Sequence, residues 1–296
     1  MNKPEDRYIN PLTDFGFKKL FGTEPNKDLL IDFLNEILPD NKVKDLTYAT
    51  NEHFGKSEMD RKAIFDIYCI GENDERFIVE MQKAKQNYFK DRSLFYASFP
   101  IQEQGKKGDW DYHLEPVFSI GILDFEFDEH KGEEGLLHII ELKNQNCEVF
   151  YDKLKFIYIE LPKFEKSQEQ LETRFDKWMY VFTHLQKLQY RPKALQEIVF
   201  KKLFEVAEIA KFTEREKKEY ENSLKVYRDM KNVVDTAKEE GKEEGREEGR
   251  EEKEEEVIEK CMEEGMQPEL ISKIVNLPLA EVNRIIEKIQ KRKKGL

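Results

Sequence analysis

The sequence predicts an α/β protein with a mixed-sheet core flanked by helices and an all-helical C-terminal extension. Strand-like segments rich in Ile, Phe, Val and Tyr lie between residues 43 and 161. Helical periodicity precedes them, and only helical patterns follow residue 167. With 296 residues, 39% of them hydrophobic, the chain is long enough for such a core and for about two domains.

The first elements are two short helices within residues 14–38, where Phe and Leu recur at helical spacing until Pro39. Strands follow over residues 43–82, and an aromatic helix over residues 87–104, which Pro100 is expected to kink or end early. Further strands are predicted at 117–127, 136–142 and 154–161.

Two capping boxes mark the start of the helical half. Ser167 with Gln170 predicts a helix that runs through Trp178, and Thr213 with Glu216 predicts a longer one. We therefore expect a first domain over residues 1–210, followed by helices only.

A four-residue repeat, KEEGKEEGREEGREEK, follows the long helix over residues 238–253. The spacing of its charges supports a helix, but each Gly costs about 1 kcal/mol relative to Ala. The balance slightly favours a solvated linker over a binding element, so residues 211–256 are predicted to be a long helix and a charged linker.

Three short helices are predicted over residues 257–296, where Pro268 and Pro278 begin the second and the third. Their apolar residues can form a small joint core that resembles a helix-turn-helix unit and ends in the basic run 291–294. A helical dimerisation tail explains the same pattern and is favoured, since short trihelical patterns are unspecific. We expect a homo-oligomer that forms through these helices.

The formal net charge of −12 is unevenly distributed. Residues 238–256 hold eleven Glu against five Lys or Arg, a balance of −6, so the net charge of the remaining chain does not exclude a DNA partner. Three cysteines without CxxC spacing, a polar N-terminus and the lack of a long apolar run favour a cytoplasmic protein that does not insert into a membrane. The five histidines show no metal-ligand spacing and are expected to be ordinary residues.

The segment AIFDIYCIGENDERFIVEMQ predicts a hairpin between strands 63–70 and 76–82. If it closes symmetrically about Asn73, Asp66 faces Glu80 and Ile64 faces Gln82. Opposed carboxylates destabilise a sheet unless a cation neutralises them. Because oxygen ligands without His or Cys favour Mg²⁺ or Mn²⁺, the register predicts a divalent-metal centre.

A half-exposed hairpin whose polar face meets water is the alternative interpretation of this segment. Two features count against it. Asp66 lies within a strongly apolar strand, where an acid is disfavoured, and the partner strand offers Glu80 in the matching register. From spacing alone, both interpretations stay open.

A family resemblance favours the metal centre. In order along residues 8–190, the chain is similar to the Rpn recombination-promoting nucleases, which are also described as PD-(D/E)XK nuclease family transposases. The matching fragments are PLTDFGFKKLFG, FLNEIL, DRKAIFDIYC, FIVEMQ, DRSLFYAS, ELPKF and KW.

The resemblance implies a restriction-endonuclease-like core and metal-dependent endonuclease cleavage of DNA, with possible roles in recombination or DNA mobility. It implies that Asp66 and Glu80 bind the metal and that Gln82 takes the superfamily's lysine position as a third catalytic residue. A neutral amide there can only orient water or a phosphate oxygen, which puts the catalytic rate in doubt. A non-catalytic DNA-binding or scaffolding protein with the same fold is the rival hypothesis.

Four further residues are candidates for weaker roles. Asp14 and Lys18, one helical turn apart, are candidate supporting residues, although an ordinary amphipathic helix explains them almost as well. Arg61 and Arg92 are candidate contacts to DNA phosphates, although surface salt bridges are the commoner role of such residues.

Overall fold

A six-stranded mixed sheet forms the centre of the molecule in the computed structural model, which describes residues 6–38, 42–50, 52–53, 63–105 and 111–293. Its strands, in their order across the sheet, are β1 (Leu46–Tyr48), β4 (Ile67–Gly71), β5 (Arg76–Gln82), β6 (Val117–Leu123), β8 (Val149–Glu160) and β7 (Leu137–Lys143). A separate antiparallel pair joins β2 (Glu52–His53) to β3 (Ala63–Ile64).

The directions of the strands make the sheet mixed. β5, β6 and β8 run parallel to one another, while β1, β4 and β7 are antiparallel to their neighbours. The parallel connection from β5 to β6 contains a helix, as such crossovers usually do.

Eight α-helices complete the described part of the chain. They are α1 (Asp14–Phe21), α2 (Lys27–Ile37), α3 (Phe89–Glu103), α4 (Arg174–His184), α5 (Ile198–Ala207), α6 (Glu214–Glu263), α7 (Pro268–Val275) and α8 (Leu279–Lys293). In the described residues after 167, all the regular elements are α-helices or short 3₁₀ turns, as the sequence predicts.

The two faces of the sheet are covered by different helices. The main core joins one face to α1, α2, α4, α5 and the beginning of α6, with Trp178 among its fully buried side chains. On the opposite face, α3 packs through Phe89, Ala97 and Tyr96 against three smaller apolar clusters. The predicted sheet core with flanking helices is therefore confirmed.

Two local predictions differ from the structure. α3 runs to Glu103, close to the predicted end at residue 104, so Pro100 lies inside the helix and does not end it early. The capping box of Ser167 starts only a 3₁₀ turn, and α4 begins at Arg174 behind a second box formed by Thr173 and Asp176. The box of Thr213 and Glu216 does open α6.

α6 continues as a helix through the glycine repeat, which the sequence left open between a marginal helix and a linker. Gly241, Gly245 and Gly249 lie in open space, so the helix there is held by its backbone and by ion pairs such as Arg250–Glu254 at 3.2 Å. None of the helices in the described residues has an apolar stretch long enough to cross a bilayer.

The chain divides into two compact units, residues 1–231 and 232–296. The second unit has its own apolar cluster, in which α6, α7 and α8 bury Ile258, Ile271, Val282 and Ile289. The first of the three short helices predicted for residues 257–296 is the end of the long helix α6, and α7 and α8 are the other two.

We expect Gly16→Ala to destabilise the protein by about 1 to 3 kcal/mol, the usual range for overpacking. A Cβ atom at this buried position would lie 2.1 Å from the backbone oxygen of Asn10 and 2.7 Å from Thr13 Oγ1. Urea denaturation measures the loss. As a matched control, Gly245→Ala should keep or raise the helix content, since nothing lies within 4 Å of that position. Equal stability of the Gly16 variant and the wild type would contradict the packing argument.

Candidate active site

The β4–β5 hairpin has the predicted register from Ile70 as far as Asp66. The predicted strand 63–70 is broken, however, because Ile64 pairs with Glu52 of β2 in a separate sheet and does not face Gln82. Ile70 pairs with Arg76, and Ile67 pairs with Val79 in antiparallel orientation. One step beyond the last pair, Asp66 and Glu80 come together. The tight turn between the strands therefore places the two carboxylates at the same end of the hairpin.

The side chains of β5 separate cleanly between the two faces of the sheet. Phe77, Val79 and Met81 belong to the main core. Ile78 packs against residues of α3, and Glu80 shares a small cavity with Arg92 and Tyr96 of α3. Strand alternation therefore places Glu80 and Gln82 on the α3 side of the sheet.

Hydrogen bonds between the two strands hold the acids in place. The Asp66 amide donates to Glu80 Oε1 at 3.1 Å, and the Met81 amide donates to Asp66 Oδ2 at 2.8 Å. Gln82 Nε2 donates to Glu80 Oε2 at 3.0 Å. The regular backbone hydrogen bonds between strands stop here, between the end of β3 at Ile64 and the start of β4 at Ile67. Side-chain oxygens accept the backbone amides in their place.

Burial makes both carboxyl groups weaker acids than usual. It raises the pKa of Asp66, against which the Met81 amide and Lys18 act in the opposite direction. Burial, followed by the charge of Asp66, raises the pKa of Glu80 to about 8. Two neighbouring, half-buried carboxyl groups are costly to ionise together, so the pair favours either a protonated Glu80 or a cation.

Asp66 also lines a groove of about 630 Å³ together with α1 and the first turns of α6. Asp14 and Lys18 both line this groove, and their side chains form an ion pair at 2.8 Å. The two candidate supporting residues therefore lie beside Asp66.

The α6 wall of the groove was not predicted from the sequence. It contributes Glu216, Glu219, Asn222 and Ser223. Ser223 Oγ accepts the amide of Phe15 at 3.1 Å, which ties α6 to the beginning of α1. These residues lie about 150 positions after the hairpin, and no local pattern in the sequence connects the two segments.

Arg92 reaches the site from α3. It donates to Gln82 Oε1 at 2.6 Å and also contacts Gln86. Its guanidinium lies 5.5 Å from the ring centre of Phe89 and 5.7 Å from that of Tyr96. Arg92 therefore orients Gln82 in this structure. Arg61, the other candidate phosphate contact, lies outside the described residues.

Lys83 is a cation near the site that sequence reasoning missed. Burial lowers the pKa of its ammonium group, while the carboxylates of Asp14 and Asp66 raise it. Its position directly after Gln82, in the sequence EMQK, could have indicated that Lys83 lies near the site. A positive charge is therefore present close to Asp66, one residue from the superfamily's lysine position.

Comparison with known proteins identifies the family of this fold and hairpin. A sequence model of the PD-(D/E)XK nuclease family transposases matches residues 11–237, about three quarters of the chain. The chain belongs to this family. The mixed six-stranded sheet with its flanking helices fits the restriction-endonuclease-like core expected of a PD-(D/E)XK protein. No curated protein and no solved structure gives a significant match.

The residues that match the family model contain the whole candidate site. They include the hairpin, α3 and the α6 wall of the groove, and the match ends just before the glycine repeat. Most of the second compact unit lies beyond them.

The raised pKa of Glu80 predicts that the metal-free protein loses stability as pH rises. A carboxyl group whose pKa is higher in the folded state favours folding at low pH, and this contribution disappears between its ordinary pKa and about 8. In EDTA, the urea midpoint of the wild type should therefore fall between pH 5 and pH 8. It should fall less in Glu80→Gln, because the buried amide does not ionise.

Glu134→Gln is the control for that measurement, since Glu134 is an exposed acid on a loop. Its pH profile should match that of the wild type. If Glu80→Gln and the wild type lost stability in parallel, the unfavourable ionisation of Glu80 would be disproved.

Proposed function

We propose that this protein is a Mg²⁺-dependent endonuclease that hydrolyses phosphodiester bonds in DNA, with Asp66 and Glu80 as the metal ligands. Mn²⁺ is expected to substitute for Mg²⁺. The observation that carries the proposal is the pair of half-buried carboxyl groups on neighbouring strands. The Asp66 amide lies 3.1 Å from Glu80 Oε1, and Asp66 lines the edge of a groove.

The donor atoms of this pair fit a hard divalent cation. Asp66 and Glu80 offer carboxylate oxygens, which Mg²⁺ binds in ones and twos together with water and substrate phosphate. Burial and mutual repulsion raise the pKa of Glu80, and a bound dication would remove both the proton and the repulsion. The residues present therefore suit the metal that the family uses.

The protein's own contribution is positioning. The Met81 amide fixes one oxygen of Asp66, and the Gln82 amide fixes one oxygen of Glu80. Arg92 in turn holds Gln82 from α3. When bound, the metal would polarise a phosphodiester oxygen and lower the pKa of a water molecule. These contacts hold the carboxylates in one arrangement before substrate arrives, which lowers the cost of reaching the reactive geometry.

The DNA substrate is inferred from family membership and from the groove beside Asp66. The groove is open, and Lys18 and Lys19 on its α1 side provide cations for phosphates. Both are paired with acids, Lys18 with Asp14 and Lys19 with Glu216, so DNA would have to compete with these ion pairs. A role in recombination or DNA mobility follows from the family description alone. A cytoplasmic location fits the three free cysteines.

Purified protein should nick supercoiled plasmid in Mg²⁺ or Mn²⁺, and EDTA should abolish the nicking. Asp66→Asn and Glu80→Gln should each reduce the rate at least about 100-fold, because each removes a charged ligand of the metal. Gel electrophoresis of the plasmid measures the conversion, and Glu134→Gln should cleave like the wild type.

The competing hypothesis is a DNA-binding or scaffolding protein that keeps the fold without catalysis. It predicts salt-dependent DNA binding, unchanged by Asp66→Asn, with no cleavage at any metal concentration. Nicking that persists in Asp66→Asn would instead point to a contaminating nuclease and would remove the support for this active site.

We further propose that Lys83 supplies part of the positive charge that Gln82 lacks. Lys83→Ala should lower the rate of nicking about 10-fold or more, while Lys83→Arg retains most of it, because a cation near the phosphate stabilises developing negative charge. Lys85→Ala, an exposed lysine two residues further along, is the matched control. Equal rates for Lys83→Ala and the wild type would exclude this role.

For the second compact unit we propose self-association through the C-terminal helices. Leu270 and Ile274, one turn apart on α7, are each about half exposed, at 50% and 51%. The alternative DNA-binding role is weakened because Lys288, Arg292 and Lys293 of α8 already form ion pairs with Glu255, Glu259 and Glu263 of α6. An apolar exposed face together with neutralised basic residues favours a protein partner.

Truncation before Thr236 should lower the oligomer mass measured by light scattering. In the full chain, Leu270→Ser combined with Ile274→Ser should have the same effect, while Val226→Ser on the first unit leaves the mass unchanged. An unchanged mass in both the truncated and the doubly substituted protein would refute association through this unit.

A further inference from the structure

Two histidines meet a buried glutamate at the carboxyl end of β8. His130 ends a 3₁₀ turn, His138 lies in β7 and Glu160 is the last residue of β8. His130 Nδ1 lies 3.2 Å from Glu160 Oε1, and His138 Nε2 lies 3.1 Å from Glu160 Oε2. The two imidazole rings are stacked, with centres 4.0 Å apart. The sequence shows no metal-ligand spacing for these histidines, but folding brings both of them to the same carboxylate.

We propose that His130, His138 and Glu160 form a Zn²⁺ site, independent of the metal centre of the nuclease. The three ligand atoms lie within 4.8 Å of one another. Zn²⁺ binds His nitrogen at about 2.0 to 2.1 Å and carboxylate oxygen at similar distance, so adjacent ligands in a tetrahedral site are about 3.3 Å apart. Each imidazole nitrogen is already close to that distance from one oxygen of Glu160, His130 from Oε1 and His138 from Oε2. The fourth position would be taken by water.

The carboxylate is held as a metal ligand would be. Glu160 is fully buried, and the Phe127 amide donates to its Oε1 at 2.7 Å. Lys163 Nζ lies 2.8 Å from Oε2 and also donates to the backbone oxygens of His130 and Gly135. Each carboxylate oxygen thus has one contact that fixes its orientation and another directed at an imidazole. Such outer contacts orient the ligands in established zinc sites.

Access also suits a dication. The side chains of His130 and His138 are 22% and 16% exposed, so the nitrogen side of the cluster is open to solvent while Glu160 is not. Lys163 places one positive charge beside the site.

Metal binding here exchanges protons for the ion. In the metal-free cluster each imidazole is within hydrogen-bonding distance of Glu160, and a neutral ring that donates must carry its proton on that nitrogen. Zn²⁺ takes the lone pairs of the same two nitrogens, so the protons move to the other ring nitrogens or leave to solvent.

The site is separate from the Asp66 and Glu80 pair. Glu160 is in register with Leu123, which is in register with Gln82, so two strand spacings, about 10 Å, separate Glu160 from Gln82. The donor sets also differ, since imidazole nitrogen prefers Zn²⁺ and an all-oxygen set prefers Mg²⁺. A bound ion would join the turn after β6 to β7 and β8.

The test uses the full chain carrying Asp66→Ala, so that the nuclease centre contributes no complete metal site. The chelated protein is titrated with Co²⁺ and with Zn²⁺, and bound metal is counted after gel filtration. We expect one equivalent of Zn²⁺, visible absorption of four-coordinate Co²⁺, and a higher melting temperature with Zn²⁺. Adding His138→Gln or His130→Gln should weaken binding at least about 10-fold and remove the absorption.

His113→Gln is the matched control, because exposed His113 also contacts a glutamate, Glu115, at 3.1 Å. It should bind Zn²⁺ as the parent does, and circular dichroism verifies that each variant is folded. No retained Zn²⁺ and no Co²⁺ absorption in the parent would overturn the proposal, as would full binding by the His138 variant. Neither outcome bears on nicking by the wild type, so the zinc site and the nuclease proposal fail separately.

Discussion

The contact between Asp66 and Glu80 across the β4–β5 hairpin is the constraint on which the candidate site depends. The Asp66 amide bonds to the Glu80 side chain, and the Met81 amide bonds to the Asp66 side chain. These two bonds replace regular ladder bonds at the point where the strands separate. They fix both carboxylates, because backbone amides move only with the sheet.

The cost of this arrangement is electrostatic. Two neighbouring carboxyl groups, Glu80 beside α3 and Asp66 in the groove, are difficult to ionise together. The neutral Gln82, with Arg92 behind it, offsets only part of that cost. The remaining electrostatic cost is offset by apolar burial on the other face of the same strand, where Phe77, Val79 and Met81 pack in the main core. One strand therefore stabilises the fold on one face and presents polar groups on the other.

Charged residues are also distributed unevenly over the molecule. The surplus acids of the glycine repeat lie on an exposed stretch of α6, away from the groove in the sequence. Within the second unit, basic residues of α8 are matched by glutamates of α6, and in the groove Lys18 and Lys19 are matched by acids. Net charge therefore says little about binding here, because most cations near candidate surfaces have a local partner.

Sequence alone determined the sheet with flanking helices, the hairpin register and the pairing of Asp66 with Glu80. These depend on local rules: strand alternation, turn length and helical periodicity act over a few residues, so they can be read along the chain. It left open whether Pro100 ends α3 early, because a proline within a helical pattern can either kink the helix or end it. Tertiary structure alone decided the α6 wall of the groove, the contact of Arg92 with Gln82 and the meeting of His130 and His138 at Glu160. Each of these joins segments that are distant in sequence or on different elements, and only packing of the sheet against its helices sets the distances between them.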